Sequence, residues 1–137
     1  MSPWFLAIRP KTLPASIAPV VIGAAMAFGD GDFNFLSAFV CLVAALLIQI
    51  GTNLANDYFD FKKGADTNRI GPIRVTQAGV INTQAVLKAT LLTFLLAGLA
   101  CLYLVHLGGP TIAIIAVTAI VSGFLYTAGK KPLGYLG

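Results

Sequence analysis

All nine lysines and arginines of this chain stand on alternate boundaries of its apolar runs. Arg9 and Lys11 precede the first run. Lys62, Lys63, Arg69, Arg74 and Lys88 lie between the end of the second and the start of the third, and Lys130 and Lys131 follow the fourth. The two remaining boundaries, the short turns at 29–34 and 106–110, carry none. Lys and Arg collect on the cytoplasmic side of a membrane, so this segregation constrains the chain to a bundle with an even number of crossings. Composition agrees, with 58% hydrophobic and 10% charged residues and a mean hydropathy of +0.87. Such a chain has too little polar surface to cover itself in water. The formal charge of +4 does not point to nucleic acid, because the basic residues meet water and anionic headgroups at the ends of apolar runs.

The expected fold is all-α: a multi-span integral membrane helical bundle, one domain over 1–137. Its four transmembrane helices fall at about 13–28, 35–56, 84–107 and 111–128. The first is short, and the preceding segment with Trp4 and Phe5 helps to cover the bilayer at headgroup level. Pro14 suits a helix start and Pro19 a kink, while Gly23, Ala24, Ala25 and Ala27 offer a smooth face to a neighbouring helix. Thr83 is the expected cap of the third span. Residues 57–82 form an Asp-rich polar loop, broken by Gly64, Gly71, Pro72 and Gly79, which the charge rule places in the cytoplasm with both termini. Cys41 and Cys101 lie inside apolar runs and behave as small hydrophobes. No cleavable signal peptide is evident, and His106 reads as an interfacial residue beside a Gly-Gly-Pro turn.

Within this apolar chain one stretch is polar on one face. Gln49, Asn53, Asn56 or Asp57, and Asp60 recur at helical spacing, and three of the five acidic residues fall between 57 and 66. Asp57 and Asp60 project to the same side of a helix, Asn56 sits beside them, and Asp66 returns to them after the chain breaks at Gly64. Crowded carboxylates are unfavourable without a cation. Hard oxygen ligands at a membrane surface suit Mg²⁺, which keeps waters and shares its remaining positions with substrate phosphates. Arg69, Arg74, Lys130 and Lys131 lie on the same side and suit phosphate, although a cytoplasmic loop collects such residues in any case. Gln49 and Asn53 either line a pocket or tie helices together. Tyr126 is either an interfacial aromatic or a phosphate donor.

Four segments occur in a telling order: Arg9-Pro10-Lys11-Thr12-Leu13-Pro14, Asn53-Leu54-Ala55-Asn56-Asp57-Tyr58-Phe59-Asp60, Arg69-Ile70-Gly71-Pro72-Ile73-Arg74, and Tyr126-Thr127 with Pro132-Leu133-Gly134-Tyr135. Together they resemble the N-terminal half of the UbiA superfamily of membrane prenyltransferases, over essentially the whole chain. The extension through Gly64-Ala65-Asp66 and the Arg-Ile-Gly-Pro that follows resemble its naphthoate branch. The resemblance implies a Mg²⁺-dependent transfer of a polyprenyl group from polyprenyl diphosphate to 1,4-dihydroxy-2-naphthoate, in menaquinone or phylloquinone synthesis at the inner membrane. It maps the metal and diphosphate motif onto Asn56, Asp57 and Asp60. Two departures accompany it. Gly64 stands where the superfamily pattern has a third Asp, with Asp66 offset by two. The family is also about twice as long, with roughly nine spans and a second Asp-rich motif, so this chain alone is expected to be inactive.

Other readings make different demands. Another aromatic acceptor within the superfamily would show in a substrate panel. A small membrane transporter would pass ions in liposomes without prenyl diphosphate, and a non-catalytic fragment would do neither. Prenyl chain length and oligomeric state are not written in the sequence.

Overall fold

The computed structural model describes residues 2–64, 74–129, 132 and 134. Pro3–Ile8 forms α1, followed by a 3-10 turn at Pro10–Thr12 and by α2 at Pro14–Gly29. Proline opens each piece, where its missing N–H is an orphan in any case and its fixed φ suits a helix start. Arg9, between the first two, takes φ 56° and ψ 70°, because a residue ahead of proline is disfavoured in the right-handed helical region. Its N–H closes α1 onto the Leu6 carbonyl at 3.2 Å. The sequence pointed to Pro19 as a kink. α2 runs through Pro19 as one element, and a bend of 51° falls earlier, between Thr12 and Pro14.

α3 spans Phe35–Lys63. Asn34 caps it, its Oδ1 accepting from the Ser37 N–H at 2.9 Å. No breaker stands between Asn56 and Gly64, so the helix continues past the expected end at 56 and stops where Gly64 turns left-handed at φ 67°. Asp57 and Asp60 therefore ride on a helix, not in a loop.

α4 spans Thr83–Leu125. Its cap is Asn82, whose Oδ1 accepts from the Gln84 N–H at 2.8 Å. Thr83, the expected cap, is the first helical residue: Asn82 is the one with extended backbone at ψ 132°. At 43 residues a straight α4 would reach about 65 Å, far beyond a hydrocarbon core of about 30 Å. It is instead broken at Gly109, with φ 67° and ψ −157°, a region essentially restricted to glycine. Pro110 adds no N–H to bridge the break. The 110–125 limb folds back along the 83–108 limb, which brings the rings of Phe94 and Phe124 to a 6.2 Å centroid separation. The expected span 84–107 lies within the first limb, and the second limb ends at Leu125, short of the expected 128.

The limbs also pack on α3. A Cβ on Gly123 would sit 2.5 Å from Thr52 Oγ1, so the absent side chain lets the two helices meet. Large apolar side chains cover the outside, with Phe28 and Phe35 about three-quarters exposed. In water that would be costly; in lipid it is the expected face. α3 and α4 are long and apolar enough to cross a membrane, and the bent N-terminal pair adds a third candidate span. No strand occurs among the described residues, so the all-α membrane class holds.

The buried apolar cluster lies at one end of the bundle. Ala7, Leu54, Tyr58, Val75, Ile81 and Val86 form it. It gathers α1, the last turns of α3, the segment from 74 and the start of α4 around the polar stripe.

Candidate functional site

The polar end of α3 is buried: Asn53, Asn56, Asp57 and Asp60 are each 8% exposed or less. Unpaired amides and carboxylates at that depth cost several kcal/mol, on the order of 2–7 for a neutral group. Each therefore needs a partner, and the chain supplies partners from three directions.

Asn53 faces the N-terminal segment. Its Nδ2 donates to the Ile8 carbonyl at 2.8 Å and to Thr12 Oγ1 at 2.9 Å. Gln49, one turn back, reaches the same Thr12 hydroxyl at 3.5 Å. Thr12 Oγ1 in turn donates to the Arg9 carbonyl at 2.9 Å. The left-handed Arg9 is thus locked between α1 and α3. Here the two amides tie helices together.

Asn56 faces the end of α4. Its Oδ1 accepts from Thr127 Oγ1 at 2.8 Å, and the Thr127 carbonyl accepts from Lys63 Nζ. Thr127 thereby ties together Asn56 and Lys63, about two turns apart on α3. Tyr126, just before it, is about half exposed. Its carbonyl accepts from the Gly134 N–H at 2.9 Å, and its ring covers Gly134 so closely that a Cβ there would meet it at 3.0 Å.

The carboxylates face the segment from 74. Arg74 Nη2 lies 2.7 Å from Asp60 Oδ2, and both side chains are 7% exposed. Asp57 Oδ2 accepts from Thr76 Oγ1 at 2.8 Å and from the Thr76 N–H at 3.3 Å. Asp57 Oδ1 is buried and finds no donor among the described residues. One anionic oxygen is therefore satisfied twice over and the other is left for something else.

That oxygen is the test of a metal at this position. A hard, buried, unpartnered carboxylate oxygen fits a hard divalent cation, and Asp60 stands one turn on. Asn56 Oδ1 already accepts one hydrogen bond and keeps a second lone pair. Among the described residues there is no group of three acidic, His or Cys side chains. Arg69, Asp66, Lys130 and Lys131 lie outside the described residues.

Thr12, Thr76 and Thr127 were not singled out in the sequence. Each supplies the hydroxyl that completes one side of the stripe. Thr12 and Thr127 stand in segments that carry the family resemblance, whereas Thr76 stands in none of them.

Away from this end the bundle opens. A groove of about 450 Å³ runs between α3 and both limbs of α4, lined from Ile48 and Ala119 to Leu107 and Gly108 by almost wholly apolar surface. A second, of about 510 Å³, lies between α2 and α3, where Gly23, Ala24 and Ala27 face Ser37, Ala38 and Cys41. At about 1.5 Å per residue, Ile48 stands about 14 Å along α3 from Asp57.

Residues 16–137 match the model of the UbiA prenyltransferase family. The 1,4-dihydroxy-2-naphthoate octaprenyltransferase of Escherichia coli is 41% identical over 98% of this chain and 46% of its own length. The protein of the same name from Mycobacterium tuberculosis is 37% identical over the same shares. UbiA prenyltransferase domain-containing protein 1 of Danio rerio is 37% identical over 92% of this chain and 38% of its own length. The chain thus spans about half the length, or less, of the curated relatives it matches. No solved structure matches it significantly.

Proposed function

The chain belongs to the UbiA prenyltransferase family, and on that premise we propose that it forms the diphosphate-binding side of a polyprenyltransferase. The donor is a polyprenyl diphosphate and the acceptor 1,4-dihydroxy-2-naphthoate, in agreement with the names of the bacterial relatives. The observation that carries the reading is Asp57: 2% exposed, with Oδ2 fixed by Thr76 and Oδ1 open.

Mg²⁺ is the cation this donor set suits, with Asp57 and Asp60 as its protein ligands and Asn56 and Asp66 as further candidates. Bound there, it would supply positive charge to the oxygens of the leaving diphosphate. The protein's own part is placement. Arg74 holds Asp60 and reaches a phosphate only by sharing its guanidinium with that carboxylate. Arg69, Lys130, Lys131 and Tyr126 are the other candidates for the phosphates. The apolar groove from Ile48 onward takes the isoprenoid tail. The C–O bond of the allylic diphosphate breaks, a C–C bond forms at the ring carbon bearing the carboxylate, and that carboxylate leaves as CO₂.

The same reading sets the topology. With the 110–125 limb returning beside the 83–108 limb, the chain crosses four times, and the polar end of α3 faces the cytoplasm with both termini at a bacterial inner membrane.

The test joins residues 1–137 to the part of the Escherichia coli relative that this chain does not span. Membranes holding that protein are assayed with radiolabelled polyprenyl diphosphate. The expected outcome is Mg²⁺-dependent labelling of 1,4-dihydroxy-2-naphthoate, lost in Asp57→Ala. Labelling of hydroxybenzoate instead would move the acceptor. A correctly inserted protein that labels neither ring would sink the proposal.

A further inference from the structure

Of the two hydrogen-bond donors that converge on Asp57, both come from one residue and both go to one oxygen. The terminal torsion of an aspartate is intrinsically broad, so an isolated Asp57 would exchange its two oxygens freely. A hydroxyl and an N–H on Oδ2 remove that freedom, and Oδ1 is the oxygen left without a donor among the described residues.

Thr76 is itself built in. Val75 is seated in the cluster of Ala7, Leu54, Tyr58, Ile81 and Val86. The Arg74 carbonyl accepts from the Ala78 N–H at 2.9 Å and the Val75 carbonyl from the Val80 N–H at 3.0 Å. The Thr76 carbonyl accepts from the Gly79 N–H at 3.1 Å, where Gly79 turns left-handed. Thr76 is 3% exposed, so water does not compete for its hydroxyl. With the valine fixed, its neighbours are delivered in reverse order to α3: Arg74 to Asp60 and Thr76 to Asp57. Of the two donors, the hydroxyl at 2.8 Å is the stronger and the N–H at 3.3 Å the weaker.

We infer that Thr76 is a positioning residue for a divalent cation: its hydroxyl holds Asp57 Oδ2 and so presents Oδ1 as the metal ligand. The inference rests on the reading of Asp57 as a cation ligand given above. Partners of metal-bound carboxylates act through orientation, and their loss costs affinity without removing a ligand.

The test is Mn²⁺ binding by the whole chain in lipid nanodiscs, followed by electron paramagnetic resonance without substrate. Thr76→Val keeps the shape and the N–H and removes the hydroxyl; Thr76→Ser keeps the hydroxyl and removes a methyl. Thr76→Val should weaken Mn²⁺ binding by about 10- to 100-fold, and Thr76→Ser should stay within about threefold of the parent. A packing role would spare Thr76→Val and weaken Thr76→Ser, and either that pattern or equal loss in the two variants overturns the inference. So does unchanged binding in Thr76→Val, which leaves the cation reading of Asp57 standing. Parent protein that binds no Mn²⁺, or binds it equally well as Asp57→Asn, overturns the inference together with that reading.

Discussion

Arg74 and Asp60 form a buried ion pair, 2.7 Å from Nη2 to Oδ2, between the segment from 74 and the last turns of α3. It lies beside the Thr76–Asp57 contact, and the two together close one side of the polar stripe. Two charges at that depth are tolerated because they neutralise each other.

Removing the cation alone should therefore be severe. Arg74→Ala leaves a buried carboxylate and should destabilise the chain by about 3–5 kcal/mol. Unfolding in mixed micelles measures it. Arg74→Met combined with Asp60→Leu should recover much of the loss, and a double variant as unstable as the single one would show that the charge is not the cause.

Thr127→Val deletes the hydroxyl that meets Asn56. The loss should be about 1–3 kcal/mol, since Asn56 Oδ1 keeps its burial and loses its donor. A double-mutant cycle with Asn56→Ala should return a coupling of about 0.5–3 kcal/mol, the range for residues in contact. Additive effects would place the two residues in separate networks.

Asn53→Leu removes both hydrogen bonds that hold the Ile8 carbonyl and Thr12. The N-terminal segment should then loosen locally while α3 and α4 stay packed. Trypsin reports on this directly, because Lys11 is exposed and cleavage after it should quicken by about 10-fold, the equivalent of about 1.4 kcal/mol of local opening. An unchanged cleavage rate would mean that α1 is held by its apolar contacts alone.

Gly123→Ala forces a Cβ to within 2.5 Å of Thr52 Oγ1. Such overpacking costs about 1–3 kcal/mol. Adding Thr52→Ala removes the clashing hydroxyl, which donates to the Ile48 carbonyl of its own helix, and should restore most of the stability. Equal stability of Gly123→Ala and the parent would mean that the limbs of α4 yield without cost.

The membrane bundle was legible because apolar runs and charge placement report directly on lipid. So was the polar stripe, whose spacing belongs to α3 alone. What the stripe touches was not legible. Thr12, Thr76 and Thr127 reach it across 41, 19 and 71 positions of sequence, and threonine in a loop carries no local mark of a buried role. Asn53 had two open readings, and only the placement of Ile8 and Thr12 shows what its amide holds. The extension of α3 to Lys63 could have been read, since Gly64 is the first breaker after Asn56. The cap at Asn82 was harder, because Asn82 and Thr83 are both good caps and backbone geometry decides between them.

Apart from its own cap at Asn34, the polar links of α3 to the rest of the described chain fall between Gln49 and Lys63; from Phe35 to Ile48 the grooves beside it are lined mainly by apolar surface. The bundle is riveted at one end and merely leaned together at the other, like tongs held at the pivot. On the proposed reading, the groove that would take the tail is shaped by apolar packing and the diphosphate end by hydrogen bonds, so the two ends of the site rest on different residues of α3.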